Sequence, residues 1–165
     1  MTSIEGVHFR QATSADAAAM AQCRLADSTD EGLADSRMAT YFDGQHHPQK
    51  ALLPRVGYLA MRNNAVIGYI AGHLTTRNGC SGEVQYLFVQ PAYRRQGVAT
   101  AMLRLLAEWF DGQGAHKVCV PVASDSPPEA RPFCERVGAS PLKKHWYAWE
   151  DIGKMLRDRN STHSL

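Results

Sequence analysis

Two adjacent arginines, a glutamine, a glycine and two small residues follow one another in Arg94-Arg95-Gln96-Gly97-Val98-Ala99-Thr100. Upstream, Leu87-Phe88-Val89-Gln90-Pro91 reads as a buried strand that runs out at Val89, where Pro91 stops its ladder. Downstream, Val98, Met102, Leu105, Leu106 and Trp109 recur at helical spacing. A basic turn feeding a helix is chemistry for an anion. The first N–H groups of a helix lack intrahelical partners and lie at the positive end of its dipole. Gly97 admits the close approach of a phosphate and Ala99 keeps the next position small. No acid stands between Gln90 and Ala107 to cancel Arg94 and Arg95. A basic surface turn that merely caps a helix would need less. The full order of strand, proline, arginine pair, glycine and small residue favours an anion site. Neither G-x-G-x-x-G nor G-x-x-x-x-G-K-[ST] is present, which speaks against a dinucleotide site or a P-loop.

Other chemistry-bearing residues are weaker pointers. Cys23, Cys80, Cys119 and Cys134 are far apart and form no C-x-x-C pair, as expected of reduced thiols in a cytoplasmic protein. His46-His47 lacks further ligands at metal-site spacing, so no metal is expected. His73 and His145 lie in strand-like runs, where a satisfied, partly buried imidazole is the default. Asp27, Asp30 and Glu31 share one helical face, suited to attracting a cationic amine or to plain solvation. Trp109, Trp146 and Trp149 read as packing residues.

The elements that must position these groups fit one domain over the 165 residues, with a core from about Val7 to Ile152 and a frayed tail from Arg159. The formal charge of +2 argues against nucleic acid. No apolar stretch has the length of a signal peptide or membrane span, so no membrane partner is expected. The triplet Asn160-Ser161-Thr162 therefore has no meaning as a glycosylation site. Val7 to Arg10 reads as a strand, and Thr13 or Ser14 as the N-cap of a helix with Asp16 in its first turn. The stretch from Asp27 to Pro54 is polar and weakly periodic, with room for an irregular helix.

Val56–Met61 and Ala65–Leu74 form a hairpin about Arg62-Asn63-Asn64, since the asparagines tolerate positive φ. After a turn at Arg77-Asn78-Gly79, Glu83 to Val89 is a strand. Strict alternation would put Val84, Tyr86 and Phe88 on one face and Glu83, Gln85, Leu87 and Val89 on the other. A long helix closed by Gly112 and Gly114, a strand from Val118 to Val122 and a helix from Glu129 to Val137 follow. A last strand, Lys144 to Trp149, and a short polar helix, Asp151 to Arg157, complete the chain. Hairpin strands followed by strands joined through helices imply a mixed sheet with helices on both faces.

Arg94-Arg95-Gln96-Gly97-Val98-Ala99 resembles the [QR]-x-x-G-x-[GA] signature of the GNAT superfamily of N-acetyltransferases. Glu83 to Val89 is similar to that family's fourth strand, Phe9 to Thr13 with Asp16 to its first strand and helix start, and Ala130 to Ala139 to its last conserved helix. The resemblance implies a mixed, mostly antiparallel α/β sheet, splayed between the fourth and fifth strands. It also implies acetyl-CoA as donor, its pyrophosphate on Arg94 to Thr100 and its pantetheine arm along Leu87, Phe88 and Val89. The acceptor would be a small-molecule or peptide amine, attacking directly in a ternary complex, and the assembly could be a homodimer.

By the same resemblance Glu83 is placed as general base; the competing reading is an ion pair at the strand's start. Backbone N–H groups near Phe88 or Val89 would polarise the thioester carbonyl. Where family members commonly carry a tyrosine that protonates the departing thiolate, this chain has Cys134. A thiol reaches less far than a phenol; Cys134 is then the acid or a packing residue, with Tyr147 or Tyr86 as substitutes. Pro127 replaces a frequent family asparagine. These two departures leave a second reading open, an acyl-CoA-binding sensor without turnover; a structural protein with no nucleotide site is a third.

Overall fold

The computed structural model describes residues 4–25, 33–45, 48 and 50–157. Asp27, Asp30 and Glu31, the His46-His47 pair, the Asn160 triplet and the tail from Arg159 lie outside the described residues.

The chain begins with an edge strand, β1 (His8–Gln11), paired antiparallel to β2 (Ala51–Arg62). Thr13 then caps a 3-10 turn over Ser14–Asp16 that runs into α1 (Ala17–Leu25). The Asp16 carboxylate accepts the Thr13 N–H at 2.8 Å and pairs with Arg10 at 2.7 Å. The hydrogen bond from Arg10 holds the Asp16 pKa below the usual carboxylate range. The polar stretch that follows does contain a helix, α2 (Leu33–Phe42).

β2 and β3 (Ala65–Thr75) form the expected hairpin, with Asn63 and Asn64 at φ 51° and 65° in its turn. β2 begins at Ala51 rather than Val56. Pro54, which lacks an N–H, falls in the register shift between Leu52 and Arg55, where the ladder is interrupted anyway.

β4 (Gly82–Val89) lies beside β3, and β5 (Val118–Pro121) runs parallel to β4 for only two pairs, Gly82 with Val118 and Glu83 with Cys119. Beyond them the two strands part, as the resemblance implied. The chain ends its sheet with two strands where one was expected: β6 (Ser140–Lys143) and β7 (Trp146–Trp149). His145 stands in the turn between them at φ 69°, not in a strand. Pro141 is accommodated because β6 is the edge of the seven-stranded sheet β1-β2-β3-β4-β5-β7-β6.

Helices cover both faces. Met20 and Cys23 of α1 and Met38 of α2 pack with Leu59 and Tyr69. On the opposite face α3 (Val98–Gly112) buries Met102, Leu103, Leu106 and Phe110 against Val56, Ile70 and Val84. A Cβ at Gly82 would lie 2.5 Å from the Phe110 ring, so this seat for the phenyl group requires glycine. Gly114, at φ 73°, turns the chain out of α3, and the Ala115 N–H returns to the Phe110 carbonyl at 2.9 Å. α4 (Ala130–Arg136) contributes Cys134 to the same core, and α5 (Lys154–Arg157) packs beside α3. The Trp149 indole N–H reaches the Val137 carbonyl at 3.0 Å; Trp109 packs on the core, and the Arg77 guanidinium lies 5.2 Å from the Trp146 ring centre. No described helix is long and apolar enough to cross a membrane.

Strict alternation fails in β4. Ala71 pairs with Tyr86 and Gly72 with Val84, so Gln85 is an extra residue with no partner on β3. Such a bulge shifts the phase of every residue after it. Val84 packs with Val89 on the α3 face, whereas Tyr86 and Phe88 pack on the α1–α2 face. Glu83 is thereby moved to the face of Tyr86 and Phe88, out of phase with Leu87 and Val89.

Candidate active site

The basic turn is held in an unusual backbone path. Pro91–Tyr93 makes a 3-10 turn, Arg95 has φ 64°, and Gly97 caps α3 at φ 87°. Among the described residues, an added Cβ at Gly97 would have only Ile4 Cδ1 within 4 Å, at 3.8 Å, which leaves space over the turn. A cavity of about 240 Å³ lies there, lined by Arg94, Arg95, Gly97, Val98, Ala99 and Thr100 among others. Gln96 is exposed beside it, and its side-chain amide donates to the Ala92 carbonyl at 3.3 Å. An anion in this cavity would meet unpaired N–H groups at the start of a 15-residue helix.

The two arginines differ. Arg94 Nε donates to the Val89 carbonyl at 2.8 Å, its guanidinium lies 5.6 Å from the Phe88 ring centre, and Nη1 is 3.3 Å from Glu129 Oε1. Folding has therefore brought an acid, Glu129, to a turn whose own sequence contains none. Arg95 lines the cavity without being tied to the strand in this way.

The Gln90 N–H donates to the Ile67 carbonyl at 2.8 Å, which fixes the alternation of β4. Gln90 and Phe88 point their backbone groups at β3, whereas those of Leu87 and Val89 point to the side that β5 has left. Of the two N–H groups expected to polarise a carbonyl, that of Val89 is on the open side and that of Phe88 is not.

A second cavity, about 310 Å³, fills the splay itself. Leu87, Pro127, Ala130 and Phe133 line both cavities, so the two adjoin and form a groove from the α3 N-terminus toward the middle of the sheet with these four residues at its junction. Cys134 lines the inner cavity and is 5% exposed. Burial pushes its thiol pKa up to about 11, so it carries its proton at neutral pH.

The other two catalytic candidates are committed elsewhere. Glu83 is 3% exposed and accepts a bond from Arg77 Nε at 2.9 Å. His73 Nε2 stands 3.7 Å from the same oxygen, and His73 Nδ1 is 2.9 Å from the Tyr41 hydroxyl. His73 is thus fully buried, not partly so. The Tyr147 hydroxyl donates to Glu135 at 2.9 Å; burial and that bond raise its pKa. Neither Glu83 nor Tyr147 is among the residues that line the groove, whereas Tyr86 is. Tyr69, Gln85 and Arg24 also line it, and sequence reasoning missed all three. A polar side chain midway along a buried strand was the signal that could have marked Gln85.

Residues 23–139, more than half of the chain, match the acetyltransferase (GNAT) family. The chain belongs to the GNAT family. A search of curated proteins found no match in sequence. Solved GNAT structures share the fold at low identity. An acetyltransferase of the family from Staphylococcus aureus is 13% identical with a TM-score of 0.67, over 87% of this chain and 98% of that one. A GNAT acetyltransferase from Brucella melitensis in complex with acetyl-CoA is 18% identical with a TM-score of 0.59, over 86% of each chain. The PaiA N-acetyltransferase from Thermoplasma acidophilum in complex with coenzyme A is 13% identical with a TM-score of 0.59, over 86% and 96%. The GNAT architecture, a mixed and mostly antiparallel sheet parted between β4 and β5, is that of this chain. Among the described residues no three His, Cys, Asp or Glu side chains converge as a metal site would require.

Proposed function

We propose that this GNAT protein transfers an acetyl group from acetyl-CoA to a primary amine by direct attack in a ternary complex. The observation that carries this is the pair of adjoining cavities: an anion cradle at the α3 N-terminus lies beside a mixed polar and apolar cavity at the β4 bulge. A long ligand with phosphates at one end and a reactive group at the other suits that shape. The residues present fit acetyl-CoA. N–H groups from Gln96 to Thr100 hold the pyrophosphate, with Arg95 and Arg94 adding charge. The open backbone edge at Leu87 and Val89 offers hydrogen bonds to the amides of the pantetheine arm, and Phe88 supports the Arg94 guanidinium from beneath. An open-side N–H of this edge that the arm leaves unused would polarise the thioester carbonyl.

The amine's lone pair forms the new N–C bond as the C–S bond breaks, and the amine's surplus proton leaves through a base. The base proposed for that proton is Glu83, acting through water from behind the groove wall, where Arg77 and His73 adjoin its carboxylate. The protonated thiol of Cys134 returns a proton to the departing sulfur, with Tyr86 as its alternative in the cavity and Tyr147 behind Glu135. Four free cysteines support a reducing, cytoplasmic setting.

A second reading, an acyl-CoA sensor without turnover, is favoured by one observation. Glu83 and Tyr147 both have structural partners, Arg77 and Glu135. The deciding experiment measures CoA thiol release with acetyl-CoA and a broad amine panel, beside the thermal stability of the protein with acetyl-CoA. At a hundredfold over the dissociation constant, binding adds about 2.7 kcal/mol. Stabilisation with release supports the transferase, and stabilisation without release on any amine supports the sensor. Stabilisation by pantetheine alone as large as that by acetyl-CoA would overturn the pyrophosphate site.

A further inference from the structure

Two polar atoms of residues that line the inner cavity have no hydrogen-bond partner among the described residues. Gln85 Oε1 is buried with no hydrogen-bond partner among the described residues, and so is the hydroxyl of Tyr69, a residue with no exposed surface. Leaving such groups dry and unpaired costs roughly 1–3 kcal/mol each, so their persistence needs a reason. Both residues line the same cavity, and Gln85 is the bulge residue itself. Gln85 stands there because the bulge removes it from the ladder. Tyr69 stands there because it faces Phe88 across the β3–β4 pair, with ring centres 5.8 Å apart.

An amide oxygen only accepts, so the missing partner of Gln85 is a donor. A neutral primary amine has two N–H donors and one lone pair. With one N–H on Gln85 Oε1 and the other on Tyr69 Oη, the lone pair is left for the thioester carbon. Burial raises the Tyr69 pKa to about 12, which keeps it an uncharged phenol and a competent acceptor.

The charge at this end of the cavity selects among amines. Arg24 lines it, on the last turn of α1, and lowers the Tyr69 pKa both by its charge and by a side-chain hydrogen-bonding interaction, although the Tyr69 hydroxyl has no partner at full hydrogen-bond geometry among the described residues. Arg24, Arg37 and Arg55 all lower the pKa of Tyr86, although burial leaves it raised overall. Among the described residues one acid lines the cavity, Asp125, on the β5–α4 connection. A second ammonium group would be repelled at the Arg24 end, and a carboxylate would be held.

We propose that Tyr69 and Gln85 seat the acceptor's amine at the β4 bulge while Arg24 holds a carboxylate of the same molecule, so that the acceptor is an amino acid or an acidic peptide. This rests on the transferase reading, and its test does not require turnover. Complexes of the protein with CoA, the spent donor, are titrated by calorimetry with L-amino acids, acidic dipeptides and 1,4-diaminobutane. The wild type binds a carboxylate-bearing amine at least about tenfold more tightly than the diamine. Gln85→Leu and Tyr69→Phe each weaken that binding about tenfold while CoA affinity holds, and Arg24→Glu reverses the preference. Tyr69→Phe keeps the packed ring, and melting curves verify that each variant is folded. The proposal is overturned if the wild type prefers the diamine, if it binds no carboxylate-bearing amine, or if folded Gln85→Leu and Tyr69→Phe bind within twofold of wild type. Acceptor binding without thiol release would leave the seat standing and remove the transferase reading. Turnover unaffected by the variants would do the reverse.

Discussion

Arg94 reaches from the basic turn to Glu129 at the start of α4, 3.3 Å away, while its Nε is fixed to the carbonyl of Val89. The guanidinium thus ties the end of β4 to the far wall of the groove, over the ring of Phe88. An acid within reach of the proposed phosphate cradle would compete with the phosphate for the same cation.

Glu129→Gln should therefore tighten CoA binding. The pair is partly exposed, with side-chain accessibilities of 30% and 58%, and such pairs are worth about 0.2–1 kcal/mol. The expected gain in affinity is at most about fivefold and shrinks as salt is raised. Titration of CoA at two ionic strengths measures it, and weaker binding by the variant would mean that Glu129 supports the cradle instead of competing with its ligand.

Gly97 carries two separable requirements, its φ of 87° and the open space above it. Gly97→Ala should cost about 1–2 kcal/mol of stability through left-handed strain and weaken acetyl-CoA partly. Gly97→Glu adds bulk and negative charge and should abolish binding in a protein that still folds. Arg95→Ala should weaken binding only in part, because backbone amides supply most of the site. Full affinity in folded Gly97→Glu would remove the phosphate assignment.

Glu83→Gln should keep acetyl-CoA affinity and lose turnover by on the order of a hundredfold if Glu83 is the base. Because Glu83 is buried against Arg77, a loss of rate could also reflect a disturbed ion pair. Arg77→Gln is the control: it breaks the same pair and leaves the carboxylate. An equal loss in both variants would assign Glu83 a structural role. Cys134→Ser, measured beside them, should slow thiol release only if the thiol donates to the departing sulfur; if Cys134 only packs, stability falls modestly and the rate holds.

The Arg10–Asp16 pair gives the fold a small acid sensitivity. The folded-state pKa of Asp16 lies below its unfolded value, so its contribution is present above the unfolded pKa and fades as pH falls through the folded one. Asp16→Asn should lower stability at neutral pH by no more than about 1 kcal/mol, since Arg10 is exposed, and should bring no penalty at the acid end. Urea unfolding of both proteins across the acid range tests this, and parallel curves would mean that Asp16 is not linked to folding.

Much of the architecture was written locally. The asparagines of the β2–β3 turn, the apolar period of α3 and the glycine after a paired-arginine turn each follow from interactions within a few residues, so hairpin, helix and the glycine turn that opens it were legible in sequence. β6 was not, because Pro141 is tolerated only at a sheet edge, and edge position is a property of the assembled sheet. The facing of β4 was not either. A bulge at Gln85 depends on the register against β3, and one extra residue transfers Glu83 to the opposite face from Leu87 and Val89. Partners distant in sequence were equally hidden: Glu129 beside Arg94, Arg77 on Glu83, Glu135 on Tyr147. The sequence by itself determined the turn proposed to hold a phosphate, because the groups proposed to hold it are consecutive backbone amides. Which side chains meet the reacting atoms was decided by the tertiary structure, because β4 and β5 part after two residue pairs and the cavity that opens is walled by α1, β3, β5 and α4 together.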